Sequence, residues 1–156
     1  MDKKRCCFAG HSRISDENNR DNLKEQIRKL VEMEGIREFW VGNYGDFDRY
    51  SAEAVRELKE YYSDINLYLV IPYLTNKITE NKQRYYKNYD CILIADIPEK
   101  TPRRYQIIKT NEYMINNSDF LICYIDHLWG GAAKTFEYAG RKEINIINLS
   151  NKADLI

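Results

Sequence analysis

Residues 119–149, DFLICYIDHLWGGAAKTFEYAGRKEINIINL, decide how this chain folds. Two apolar runs, 119–125 and 144–149, read as strands, and most such runs of this chain lack polar alternation, which suits strands buried on both faces of a parallel sheet. Between them the pattern changes to that of a short helix over 133–142, entered through Gly130 and Gly131. Strand, helix and strand in that order form a parallel β-α-β unit, whose crossover is right-handed almost by default.

The same alternation extends outward. Further strands are expected at 5–9, 38–42, 66–71 and 91–95. Leu23, Ile27, Leu30 and Val31 form a helical stripe within 20–33, and Ala54, Val55, Leu58, Tyr61 and Tyr62 form another within 51–62. Residues 103–117 carry a broader stripe around Tyr105, Ile108, Tyr113 and Met114, which offers a face for a homodimer. An insert at 72–90, rich in Lys, Asn and Tyr, begins at Pro72 and is expected to hold a short helix near 79–88 and to lie as a flap by the cleft. The expectation is one α/β domain over 1–156, Rossmann-like and doubly wound. Its mainly parallel sheet has about six strands, with helices on both faces.

Composition narrows the function. With 24 basic and 24 acidic side chains the formal charge is zero, against the basic excess of a general nucleic-acid binder. No run approaches the roughly 20 apolar residues of a membrane span, and the apolar part of MDKKRCCFAG is too short for a signal peptide, so a cytoplasmic protein is expected. Cys6, Cys7, Cys91 and Cys123 sit in apolar runs without CxxC spacing and read as free structural thiols. No metal set and no cofactor motif stands out. The thirteen tyrosines read as amphipathic cover for core edges, or as a stacking or subunit face.

Open α/β sheets bind ligands beyond the carboxyl ends of their strands, so the residues after each strand carry the most information. After the first come Gly10, His11, Ser12 and Arg13; after the second, Gly42 and Asn43, with Asp48 a little further on. After the fifth come His127, Gly130 and Gly131, leading to Lys134, Thr135 and Glu137. Glycine lets backbone amides approach an anion at a helix N-terminus, and Lys134 and Thr135 would add donors in the first turn. Arg13 offers a phosphate a fork of donors. Asp48 reads either as the N-cap of the second helix or as a carboxylate for ribose or catalysis, and Glu137 as a first-turn acid or as a cleft carboxylate.

Three segments, CCFAGHSR, VGNYGDFDRYSAEAVRELK and NEYMINNSDFLICYIDHLWGGAAKTFEYAGRK, together resemble the signature regions of the SLOG superfamily. It takes in the Lonely Guy phosphoribohydrolases and many small stand-alone bacterial proteins, and the likeness is greatest to the latter. The resemblance implies a Rossmann-like fold and a nucleotide or nucleotide-derived ligand. Against the Lonely Guy pattern GGxGTxxE, Gly130, Gly131 and Glu137 match. Ala133 replaces the third glycine, Lys134 the threonine (Thr135 follows it), and Trp129 the preceding proline. Three readings follow: a nucleotide-binding sensor or accessory factor, a phosphoribohydrolase-like hydrolase using Glu137 and Asp48, or a protein-interaction module with a vestigial pocket.

Overall fold

The computed structural model describes residues 4–14 and 19–150. Six strands, β1 (Arg5–Gly10), β2 (Glu38–Val41), β3 (Asn66–Ile71), β4 (Cys91–Ile94), β5 (Phe120–Tyr124) and β6 (Asn145–Asn148), form one sheet ordered β4-β3-β2-β1-β5-β6. All five pairings are parallel. The chain runs from β1 outward to β4, then returns across the sheet to place β5 on the other side of β1. The winding direction therefore reverses between β1 and β5, where the loops leaving these neighbouring strands part and leave a crevice.

Helices cover both faces, and β1 shows how the sequence divides between them. Cys6 and Phe8 enter the core beneath α1 (Asn19–Glu34) and α2 (Asp46–Lys59), where Phe8 stacks on Phe39 at 6.1 Å. Cys7 and Ala9 point the other way, into the core shared with α5 (Gln106–Asn116) and α6 (Gly131–Gly140). Successive strand residues face opposite sides, so an uninterrupted apolar run supplies two cores at once. At the opposite end of the sheet, the buried Arg5 lies 4.0 Å over the Trp40 ring and bonds Glu38 and the Asn117 carbonyl.

All four cysteines are free. Burial pushes the Cys7 thiol up to about 12 and raises those of Cys6 and Cys123, so these groups stay protonated and inert.

Strand boundaries agree with the sequence expectation to within one residue, whereas the helices differ instructively. α2 starts at Asp46, well before the expected 51, because Gly45 turns the chain at φ +116° and the Asp46 amide bonds the Ser12 carbonyl at 2.8 Å. The insert holds two short helices, α3 (Asn76–Glu80) and α4 (Lys82–Asn88), separated at Asn81. Thr75 caps α3 by accepting from the Ile78 amide, while Ile78 anchors it on Leu69 and Ile71. Residues 103–105 form a 3-10 turn ahead of α5, and α6 begins at Gly131, two residues earlier than expected.

Candidate functional site

A cavity of about 460 Å³ opens at the β1/β5 crevice. One wall is the loop after β1, and the N-terminus of α2 fixes it. The Phe47 ring packs on Gly10 so closely that a Cβ there would lie 2.5 Å from it. A Cβ on Gly45 would lie 2.5 Å from the Ser12 Cα. The Asp46 carboxylate also accepts from the Ile14 amide at 3.1 Å. The glycine at position 10 is thus explained by packing, although Gly10 also lines the cavity together with His11, Ser12 and Arg13.

A stack of rings forms the next part of the wall. His11 and His127 lie 3.6 Å apart at an interplanar angle of 11°, and Trp129 continues the stack at 3.9 Å from His127. His11 is buried, and its Nε2 accepts the Asp126 amide at 3.1 Å. Desolvation, reinforced by His127, lowers the His11 pKa against the opposing pull of Asp126, so the ring remains a neutral acceptor at pH 7. Trp129, at the other end, is 71% exposed. Ligand atoms of His11, Asp126 and His127 all fall within 4.8 Å of one another. A cation, however, binds imidazole in the ring plane at about 2.0–2.1 Å. It cannot lie in two nearly parallel planes separated by a stacking distance, so this arrangement suits a stack better than a metal centre.

The third wall is the start of α6. Gly130 adopts φ +90°, which favours glycine, and its carbonyl accepts the first intrahelical bond from Lys134 at 3.2 Å. The amides of 131–133 therefore precede the helical ladder. Gly131 has no positive φ, and a Cβ there would meet nothing closer than Ile108 at 3.8 Å. Neither conformation nor packing requires a glycine at 131.

Other expected residues lie elsewhere. Thr135 is buried against α5, where its hydroxyl donates to the Gly131 carbonyl and accepts from Asn111, so it is engaged inside the helix pair. Lys134 is exposed and outside the cavity lining. The Glu137 carboxylate is 75% exposed, pairs with Arg141 at 3.2 Å one turn on, and does not face the cavity. Gly42 and Asn43 line a separate groove beyond β2 and β3, and no residue of the insert lines the cavity.

Asp48 does reach the cavity, in the first turn of α2. It is not the N-cap, a position taken by Gly45; its carboxylate instead reaches back to accept the Tyr44 amide at 2.9 Å. Desolvation pushes its pKa up to about 6, outweighing that hydrogen bond. Sequence reasoning missed Asp126, whose amide fixes His11, and Ile107 and Asn111, which α5 brings to the wall. In the sequence Trp129 stands only as a departure from a motif. Its place two residues after a loop histidine was the available signal.

The YspA SLOG family profile matches residues 17–148, and the chain belongs to that family. A UPF0398 protein of Halalkalibacterium halodurans is 27% identical over 127 residues, covering 78% of this chain and 67% of that protein. Among solved structures, DNA processing protein A (DprA) of Streptococcus pneumoniae matches 93% of this chain with a TM-score of 0.68 and 14% identity. This chain spans 50% of the DprA chain. The Moco carrier protein of Chlamydomonas rheinhardtii matches 95% of this chain and 76% of its own, with a TM-score of 0.54 and 10% identity. At these identities the two structures share the fold.

Proposed function

We propose that this member of the YspA SLOG family binds a nucleotide or nucleotide-derived ligand in the β1/β5 crevice, as a sensor or accessory factor. Its phosphate would lie on the amides of 131–133, where three donors precede the helical ladder and the helix dipole favours an anion. Gly131 carries this reading: the fold leaves space in front of it and asks for no glycine. Arg13, exposed across the crevice, supplies a guanidinium for the same phosphate, and the outer face of Trp129 offers a surface for a base.

A thermal-shift panel of nucleoside mono-, di- and triphosphates tests the proposal. A ligand at 100 times its Kd adds about 2.7 kcal/mol of stability. Gly131→Ala should fold normally and weaken the identified nucleotide at least tenfold, about 1.4 kcal/mol. Equal affinity in this variant and the parent removes the phosphate from α6.

A second reading, hydrolysis of a nucleotide N-glycosidic bond, draws support from Asp48, since a carboxyl titrating near 6 inside a cleft suits general acid or base work. It places the chemistry on Asp48 rather than the outward-facing Glu137. Chromatography would detect free base released from nucleoside monophosphates, and Asp48→Asn should abolish that release.

A further inference from the structure

A second depression, of about 440 Å³, lies beyond the carboxyl ends of β2 and β3, between α2 on one side and α3 with α4 on the other. Its chemistry differs from that of the crevice. Arg49 and Arg56 project from α2, and Lys77 and Arg84 from the insert. Arg49 is compensated by Asp46 at 3.2 Å, and Glu53, the acid in this lining, is paired with Arg20. Among the described residues no carboxylate forms an ion pair with Arg56, Lys77 or Arg84. In a chain of zero formal charge, three uncompensated cations share one groove.

Such an arrangement is unfavourable for the protein alone, because like charges gathered in one groove repel one another. Arg56 is also held in place. Its Nε donates to the Asn88 carbonyl at 2.8 Å and its guanidinium lies 5.0 Å over the Tyr89 ring, so the rest of the fork need not be ordered when an anion arrives. Two guanidinium groups and an ammonium match the spread oxygens of a chain of linked phosphates better than one carboxylate. Gly42, Asn43 and Gly45 of the turn after β2 complete the lining, with Asn88 and Tyr89 at the end of the insert.

We propose that this groove is a second binding site, separate from the β1/β5 crevice, for an oligophosphate group carried by a small molecule. Charge neutralisation by Arg56, Lys77 and Arg84 holds the ligand, and the insert serves as the wall of this site. The proposal does not depend on what the crevice binds.

The test is isothermal titration of the full chain with inorganic phosphate, pyrophosphate, tripolyphosphate and sulfate in about 0.1 M salt, where surface charges beyond roughly 10 Å are screened. Amide NMR shifts at Asn43 and Asn88 report occupancy of the groove. Tripolyphosphate is expected to bind more tightly than pyrophosphate, and both more tightly than phosphate or sulfate, with shifts at both amides. Lys77→Ala combined with Arg84→Ala removes two exposed side chains outside the core, and should weaken tripolyphosphate at the groove at least tenfold. Gly131→Ala should leave that binding unchanged. Parental affinity in the double variant, tripolyphosphate binding no tighter than sulfate, or no shift at the two amides overturns the proposal. An oligothymidylate that binds the groove more tightly than tripolyphosphate also overturns it, in favour of a nucleic-acid strand.

Discussion

The two depressions at the carboxyl end of this sheet are similar in size and opposite in construction. The crevice between β1 and β5 is shaped by backbone: glycines at 10 and 45 let neighbouring segments approach closely, a buried histidine is locked to the Asp126 amide, and a helix enters through Gly130. The groove beyond β2 and β3 is shaped by long cationic side chains, two of them on helices of five and seven residues. A ligand proposed for the first would be selected by geometry, and one proposed for the second would be held by charge, with an affinity expected to fall with added salt. One parallel sheet supports both because its strand ends supply fixed points from which loops of either kind can start.

The largest expected effect breaks the rigid side of this contrast. Gly45→Ala forces a side chain onto φ +116°, with its Cβ 2.5 Å from the Ser12 backbone. Conformational strain of this kind amounts to about 1–3 kcal/mol before the clash is counted, so a loss of at least 3 kcal/mol is expected, roughly 10 °C in melting temperature. Calorimetry checks it, and a variant melting within 2 °C of the parent would mean that the loop is not clamped.

Asp48 comes next. Its pKa rises from 3.8 to about 6 on folding, so between those values the folded state holds the proton more firmly. The burden of keeping a buried carboxylate grows with pH across that window and is constant above it. Asp48→Asn keeps an acceptor for the Tyr44 amide and should stabilise the protein by about 2 kcal/mol at pH 8, with the gain vanishing toward pH 3.5. Urea melts at the two pH values measure it; an equal gain at both would point to packing instead. His11 acts with opposite sign. Its lowered pKa means that the stability of its neutral form is lost as pH falls below the ordinary value of 6.5.

A smaller effect sharpens the contrast between base and phosphate. If the crevice stacks a base on Trp129, Trp129→Ala should weaken a nucleotide by about 1–3 kcal/mol, the scale of base–aromatic stacking, and leave tripolyphosphate binding at the groove unchanged. Competition titrations with both ligands separate the cases. The smallest effect is assigned to Glu137→Gln: this exposed carboxylate, tied to Arg141, should alter nucleotide affinity less than twofold. A larger loss would bring the helix face bearing Glu137 back into the site.

The strands and their parallel packing were legible in the sequence, because apolar runs such as 119–125, alternating with helical stripes, suit inner strands covered on both faces; the outer strands β4 and β6 are only partly covered. The sequence also directs attention to the loops after β1, β2 and β5, and the strand order brings the first and the last of these together at the reversal of winding. What the sequence left open was direction and distance. Glu137 stands at motif spacing and Thr135 one place off it, yet the packing of α6 on α5 turns the threonine toward Asn111 and leaves the glutamate outside, paired with Arg141. The sequence groups Gly42 and Asn43 with the glycines of the crevice and places the insert beside it. Only the packing of α2 against the loop after β1 moves them to a separate groove. Stacking of His11 on His127 and Trp129 joins segments 115 or more residues apart through van der Waals contact, which leaves no periodicity to read. Local patterns record which side of a strand or helix is buried; the tertiary structure decides which buried sides meet.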